Sequence, residues 1–163
     1  MYPKKITMKM QRTWLAGLAL LIGTFVWFGY AQPFSPAKAE KEAVKAAVLD
    51  YVEGLYEVAP DRIERSVHKD LKKVGFWYNP NQEAFGDLSP MTYDQLHTLA
   101  SRWNANGQQA TDDSPKKIEI YDVLGRTANA KLTAEWGTDY MQLAKIDGKW
   151  MIMHVLWQSP DPS

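Results

Sequence analysis

The feature that most constrains the fold is Asp147-Gly148, set between two runs of strand-forming residues in "DYMQLAKIDGKWMIMHVLW", residues 139–157. An Asp-Gly pair flanked by such runs is the strongest short-range signal for a two-residue hairpin turn. That turn pairs Lys145 with Trp150, Leu143 with Ile152, Met141 with His154 and Asp139 with Leu156, all on one face. A two-residue turn at Gly137-Thr138 sets Trp136, Ala134, Leu132 and Ala130 on the same face. A three-residue loop at Leu124-Gly125-Arg126 then brings Ile118, Ile120 and Asp122 alongside. The result is four antiparallel strands over 117–123, 127–136, 138–146 and 149–157. Three alanines on the inner face, Ala128, Ala130 and Ala134, either admit a helix closely or leave an apolar hollow for a small molecule.

The opposite face holds Tyr140, Ala144, Ile146, Met151, Met153, Val155 and Trp157, too apolar for a solvated sheet surface. A sheet with two apolar faces needs cover on both. Helices can cover one side, so a homodimer through the outer face, centred on Met153 and Trp157, is expected.

The helices come earlier in the chain. Over Glu40–Ala59, Val44, Val48, Tyr51/Val52 and Leu55 follow the spacing of one helical face, with charged residues around the rest. Pro60 suits a first helical position, and "PDRIERSV" reads as a short second helix with Ile63 and Val67 inward. "LKKVGFWYNPNQEAFGDL" reads as two strands around Asn79-Pro80-Asn81. Thr92 caps a third helix, with Gln95 completing a capping box and Met91 stapled onto Leu96; Asn106-Gly107 stops it. The sequence thus predicts an α+β fold in the order ααββαββββ, three helices packed on a curved, mostly antiparallel sheet.

The N-terminus differs from everything after it. Residues 1–13 carry Lys4, Lys5, Lys9 and Arg12 with no acid, and Trp14 to Ala31 is an apolar run of eighteen residues. "AKA" at 37–39 places small residues where a signal peptidase reads, so residues 1–39 are expected to be a signal peptide cleaved before Glu40. The protein is then exported, periplasmic or secreted. The run is also long enough to span a bilayer, so a form anchored in the membrane through 14–31 is the alternative. The mature domain covers 40–158, and 159–163 is a C-terminal tail.

Removing 1–39 takes away five of the 19 Lys/Arg and none of the 19 acids, leaving a formal charge of −5. A mildly acidic domain without a basic stripe argues against nucleic acid as a partner. With no cysteine there is no disulfide, thiolate metal site or cysteine nucleophile, and the three histidines show no metal-ligand spacing. Neither a metal nor a cofactor is expected. No nucleotide-binding or hydrolase motif is present.

The order of elements resembles the nuclear transport factor 2-like superfamily over Glu40–Gln158. "RIERSVHKDLKKVGF", "IEIYDVLGRTANAKL" and "YMQLAKIDGKWMIMHVLW" are similar to its Putative Lumazine-Binding branch. The resemblance implies a cone with a pocket between the helices and the inner sheet face. It also points to a small apolar or aromatic ligand held there. Superfamily members similar in topology, ketosteroid isomerase and scytalone dehydratase, use inward polar groups for proton transfer, although their catalytic sets do not map onto this chain residue by residue.

In the register above, His154 stands diagonal to Asp139, close enough for the carboxylate to orient the imidazole. As a catalytic pair they suit a metal-independent isomerase or dehydratase; as a structural pair they are a satisfied core or rim histidine with its partner. Asp122 is a second inward carboxylate or a solvated rim group. His68, near Asp70, is a pocket-rim contact or a histidine stabilised by a helix end. Trp103, Trp136, Met141 and Tyr51 complete the expected ligand contacts, since aromatic faces stack on a flat heterocycle. A third reading, a non-catalytic interaction module, requires the hollow to be filled by side chains.

Overall fold

The computed structural model describes residues 36–160. The expected signal or anchor segment up to residue 35, with its apolar run, lies outside the described residues, as do 161–163. No helix among the described residues is long and apolar enough to cross a membrane.

Among the described residues three helices, α1 (Pro36–Tyr56), α2 (Pro60–Ser66) and α3 (Tyr93–Ala100), accompany eight strands: β1 (Val67–Phe76), β2 (Tyr78–Asn79), β3 (Ala84–Phe85), β4 (Ser89–Met91), β5 (Lys117–Val123), β6 (Thr127–Ala134), β7 (Gly137–Ile146) and β8 (Lys149–Gln158). Six strands form one sheet in the order β4-β1-β8-β7-β6-β5, while β2 and β3 make a separate small ribbon. Among the described residues only the β1–β8 pairing is parallel. The expected strand hairpin after α2 is therefore three pieces: β1, which reaches the sheet's middle, the β2–β3 ribbon, and the edge strand β4.

The α1 pattern buries Val44, Val48, Tyr51, Val52 and Leu55 against the sheet. The helix begins at Pro36, so the Ala39–Glu40 junction lies within it. Glu40 ties α1 to the far sheet end: Lys145 Nζ donates to its Oε1 at 2.6 Å and Trp150 Nε1 to its Oε2 at 2.8 Å. Those two bonds, Lys145's first, hold the Glu40 carboxyl below the ordinary carboxylate value. Arg62 clasps α2 to α1 through Asp50 and Glu53. Thr92 and Gln95 form the expected capping box, and α3 ends at Ala100 rather than at Asn106-Gly107, the chain continuing in turns.

In the last four strands the expected turns hold in part. Asp147 and Gly148 take φ of 48° and 81°, both in the left-handed region that a tight hairpin turn demands. Lys145–Trp150 and Leu143–Ile152 pair as expected. Loop 124–126 joins β5 to β6 as expected. The β6–β7 turn instead falls at Glu135-Trp136, pairing Ala134 with Gly137 and Leu132 with Asp139. This moves the turn two residues upstream. A two-residue shift preserves side-chain parity, so the inner face of β6 and β7 survives the wrong register.

Parity fails at two bulges. On β8 the register shifts so that Ile152 faces Leu143 but His154 faces Gln142, leaving Met153 as the extra residue. Everything beyond is turned over. Val155 and Trp157 point inward and are buried, whereas His154 and Leu156 point outward. On β5 the same happens between Ile120 and Asp122: Tyr121 is the extra residue, Asp122 faces outward opposite Asn129, and Val123 takes the inner position opposite Ala128.

Candidate functional site

A cleft opens where α1, α3 and the middle strands meet. Its walls are Tyr51 of α1, Lys73 of β1, Trp157 of β8, Trp136 of the β6–β7 turn, and Trp103 and Trp77 from segments following α3 and β1. Leu55, Met91, Leu96 and Leu99 close the remaining sides. The space open to the centre of a water-sized sphere is about 50 Å³. One water needs about 10–15 Å³ on that measure, so as it stands the cleft has room for a few waters. Trp77, 53% exposed, stands at its outer edge and meets Trp157 edge-to-face at 4.5 Å.

Local structure explains how each wall is held. Trp103 follows α3, its backbone N–H donating to Leu99 at 2.8 Å. It stacks on Tyr56 at 5.8 Å and meets Trp136 edge-on at 5.4 Å. Asn104 fixes the loop behind it: its Nδ2 donates to the Tyr56 and Ala110 carbonyls, and its Oδ1 accepts from Gln109 and Ala110 N–H. The Tyr56 hydroxyl accepts from Glu135 N–H at 2.7 Å and donates to the Pro115 carbonyl at 2.8 Å, so the turn carrying Trp136 is tied to α1.

At the inner end lies an ion pair. Lys73, 5% exposed, donates from Nζ to Oδ1 of Asp139, 0% exposed, at 3.1 Å. Trp136 Nε1 donates to the other carboxylate oxygen at 3.0 Å. Burial holds the Lys73 ammonium below the ordinary lysine value, with Asp139 pulling in the opposite direction. Lys73 also lies 5.7 Å from the Tyr51 ring centroid and 5.0 Å from that of Trp157. Burial first, and the Asp139 charge second, raise the Tyr51 hydroxyl well above its ordinary value. That hydroxyl lies beside the Asp139 carboxylate, and Trp157 Nε1 is buried without a protein hydrogen-bond partner.

Of the residues expected from sequence, Tyr51, Trp103 and Trp136 come together around this cleft. Asp139 faces inward but toward Lys73. The expected His154–Asp139 pair is not formed: beyond the bulge His154 is exposed on the outer face, its Nδ1 3.0 Å from Gln142 Oε1. Asp122 is exposed on that face too, for the same reason. Met141 is buried between Ala130 and Val155 and does not line the cleft. His68, at the start of β1, accepts from Asp70 N–H through Nδ1 at 3.2 Å and is also outside the lining. Trp157, expected at a dimer centre, is inside. Lys73 was missed, although Leu71, Lys73 and Gly75 alternate on one side of a readable strand.

The family model described as "Putative lumazine-binding" matches residues 39–158. The chain belongs to that family. No curated protein matches the sequence. The putative lumazine-binding domain is similar to solved nuclear transport factor 2-like structures. One, a protein of unknown function from Silicibacter pomeroyi, is 17% identical with a TM-score of 0.57, covering 77% of this chain and 100% of its own. Another of unknown function, from Shewanella baltica, is 19% identical with a TM-score of 0.57, covering 79% and 99%. A protein from Novosphingobium aromaticivorans named as a Putative Scytalone Dehydratase is 15% identical with a TM-score of 0.50, covering 75% and 85%. At these identities the likeness shows the fold: a nuclear transport factor 2-like cone of three helices on a mostly antiparallel sheet.

Proposed function

We propose that this is an exported small-molecule-binding protein that holds a small aromatic ligand in the cleft between α1, α3 and the inner sheet face. The observation that carries this reading is the lining, in which four tryptophans and a tyrosine surround one buried ion pair. Mostly apolar walls with a few placed polar groups are the common composition of ligand pockets. Trp77 is the one wall residue more than half exposed, so its movement enlarges the cleft at least cost in buried contacts. Export rests on the basic start and apolar run of residues 1–31.

The outer face supports a homodimer with a moved centre. Tyr140 and Leu156 are cross-strand partners there, both about half exposed, with the bulged Tyr121 also exposed on the sheet. Large exposed apolar groups clustered on a sheet mark an association surface. The small size of the cleft favours a second reading, a non-catalytic interaction module whose hollow is filled by its own side chains. An isomerase or dehydratase built on His154 and Asp139 has lost its pair and is not proposed.

Native mass spectrometry of the protein taken from its own cells tests these statements together. The expected result is a dimer of chains beginning at Glu40, each carrying a few hundred daltons or less of retained small molecule. A bare dimer that binds no aromatic compound on titration would support the interaction-module reading instead. Monomers at micromolar concentration would remove the dimer, and an intact N-terminus would replace export by anchoring.

A further inference from the structure

The two bulges that take His154 and Asp122 off the inner face line them up on the outer one. Lys72 of β1 lies beside His154 of β8, His154 beside Gln142 of β7, Gln142 beside Asn129 of β6, and Asn129 beside Asp122 of β5. All five side chains are exposed. They form one polar row across five neighbouring strands, with a base at one end, an acid at the other, and an imidazole and two amides between. Neither Lys72 nor Asp122 has an ion pair among the described residues, whereas Lys131 and Glu119 on the same face are joined at 3.8 Å. The adjoining row is apolar at the middle of the sheet, where Tyr140, Leu156 and Val74 are successive neighbours.

We infer that the outer face, on the dimer reading proposed above, meets a second copy about a two-fold axis running along the strands, so that Lys72 of each chain pairs with the partner's Asp122. A two-fold interface brings the same patch of both chains together. With the axis along the strands over β7 and β8, the middle of the six-stranded sheet, strand order is reversed across the interface. The basic end of one row then lies over the acidic end of the other, and Tyr140 packs against the partner's Leu156. With the axis across the strands each row meets itself in the same order. Lys72 would face the partner's Lys72 and Asp122 the partner's Asp122, two like-charge contacts that oppose association. The same five residues thus favour one orientation and exclude the other.

Sedimentation of the protein purified from its own cells reads the dimer dissociation constant. Lys72→Glu and Asp122→Lys are each expected to raise it about tenfold or more, since either sets like charges together twice per dimer. The double reversal Lys72→Glu/Asp122→Lys is expected to return it close to the wild-type value. Within one chain the two positions are four strand spacings apart, about 19 Å, well beyond a screening length of about 8 Å at physiological salt, so that rescue comes from contact between chains. Lys45→Glu, the same charge change at an exposed position of α1, is expected to leave the constant as it is. Single reversals that dimerise like the wild type, or a double reversal as weak as the singles, overturn the inference and leave the outer-face dimer standing. Equal weakening by Lys45→Glu overturns it too, because net charge alone would then account for the loss. The wild type supplies a second reading where a variant fails to fold: its dimer is expected to loosen as salt is raised, and a salt-independent constant overturns the inference. A wild-type protein that stays monomeric at micromolar concentration overturns the dimer reading and the inference together.

Discussion

Lys73→Met with Asp139 left in place is expected to destabilise the protein by about 3–5 kcal/mol, and the double variant Lys73→Met/Asp139→Leu to recover most of that loss. Both partners are within a few per cent of complete burial and sit 3.1 Å apart. Removing the ammonium strands a carboxylate away from water, with the Trp136 N–H and the neighbouring Tyr51 hydroxyl left beside it. Removing both leaves no unpaired buried charge, and the partly exposed Trp136 can turn its N–H to solvent. Pairs of this kind are often neutral or better when exchanged for apolar side chains of similar volume. A buried carboxylic acid costs less than a buried carboxylate, so the deficit of Lys73→Met shrinks as pH is lowered. Urea unfolding of the wild type, both single variants and the double closes the cycle. A coupling near zero would show that the two groups are solvated separately.

That this ion pair was hidden in the sequence, while its surroundings were readable, has a specific cause. The hydrophobic period of α1, the Thr92–Gln95 capping box and the Asp147-Gly148 turn are local signals, and each forms as read. Side-chain direction in a sheet is different, because it depends on every residue between the turn and the position in question. The β6–β7 turn lies two residues from its expected place, yet Leu132 and Ala134 stay inward because an even slip leaves parity intact. One extra residue is worse than two. Met153 turns His154 out and Trp157 in, and Tyr121 turns Asp122 out. A bulge has no strong signature in "WMIMHVLW" or "IEIYDVL", since most of the residues around it are good strand formers.

The bulge on β8 also makes the cleft. Without it Trp157 would face away from α1, and Lys73 would have no aromatic wall on that side. The β1 positions Leu71, Lys73 and Gly75 are inward and buried, so the pattern that reveals Lys73 was present in "LKKVG". A lysine at an inward strand position reads as a sheet edge or a register error until its counter-ion is located, and the sequence pattern pairs Asp139 with His154 instead. The tryptophans were easier to place. Trp103, just past α3, and Trp136, in the β6–β7 turn, both reach the cleft despite the shifts in strand register.

Gly75→Ala is expected to destabilise the protein by about 3 kcal/mol or more, beyond the usual range for overpacking, and to dismantle the cleft. Gly75 pairs with Trp157 across the parallel β1–β8 contact. A methyl group there would stand 2.2 Å from the Trp157 carbonyl oxygen and 2.4 Å from Cδ1 and Nε1 of its ring. The ring is flanked by Trp77 at 4.5 Å and by the Lys73 ammonium, so its retreat disturbs both. The carbonyl belongs to the β8 backbone and cannot swing aside without parting β8 from β1. Relief therefore requires the two strands to separate at the position that aims Trp157 inward. Gly125→Ala is the matched control, because a methyl there meets nothing within 4 Å; an exposed change of that kind stays within about 0.5 kcal/mol. Thermal unfolding of the two variants side by side, with tryptophan fluorescence as the readout, measures the difference. Equal melting temperatures would show that β1 and β8 yield to an added methyl, and that the Trp157 wall is not set by the glycine opposite it.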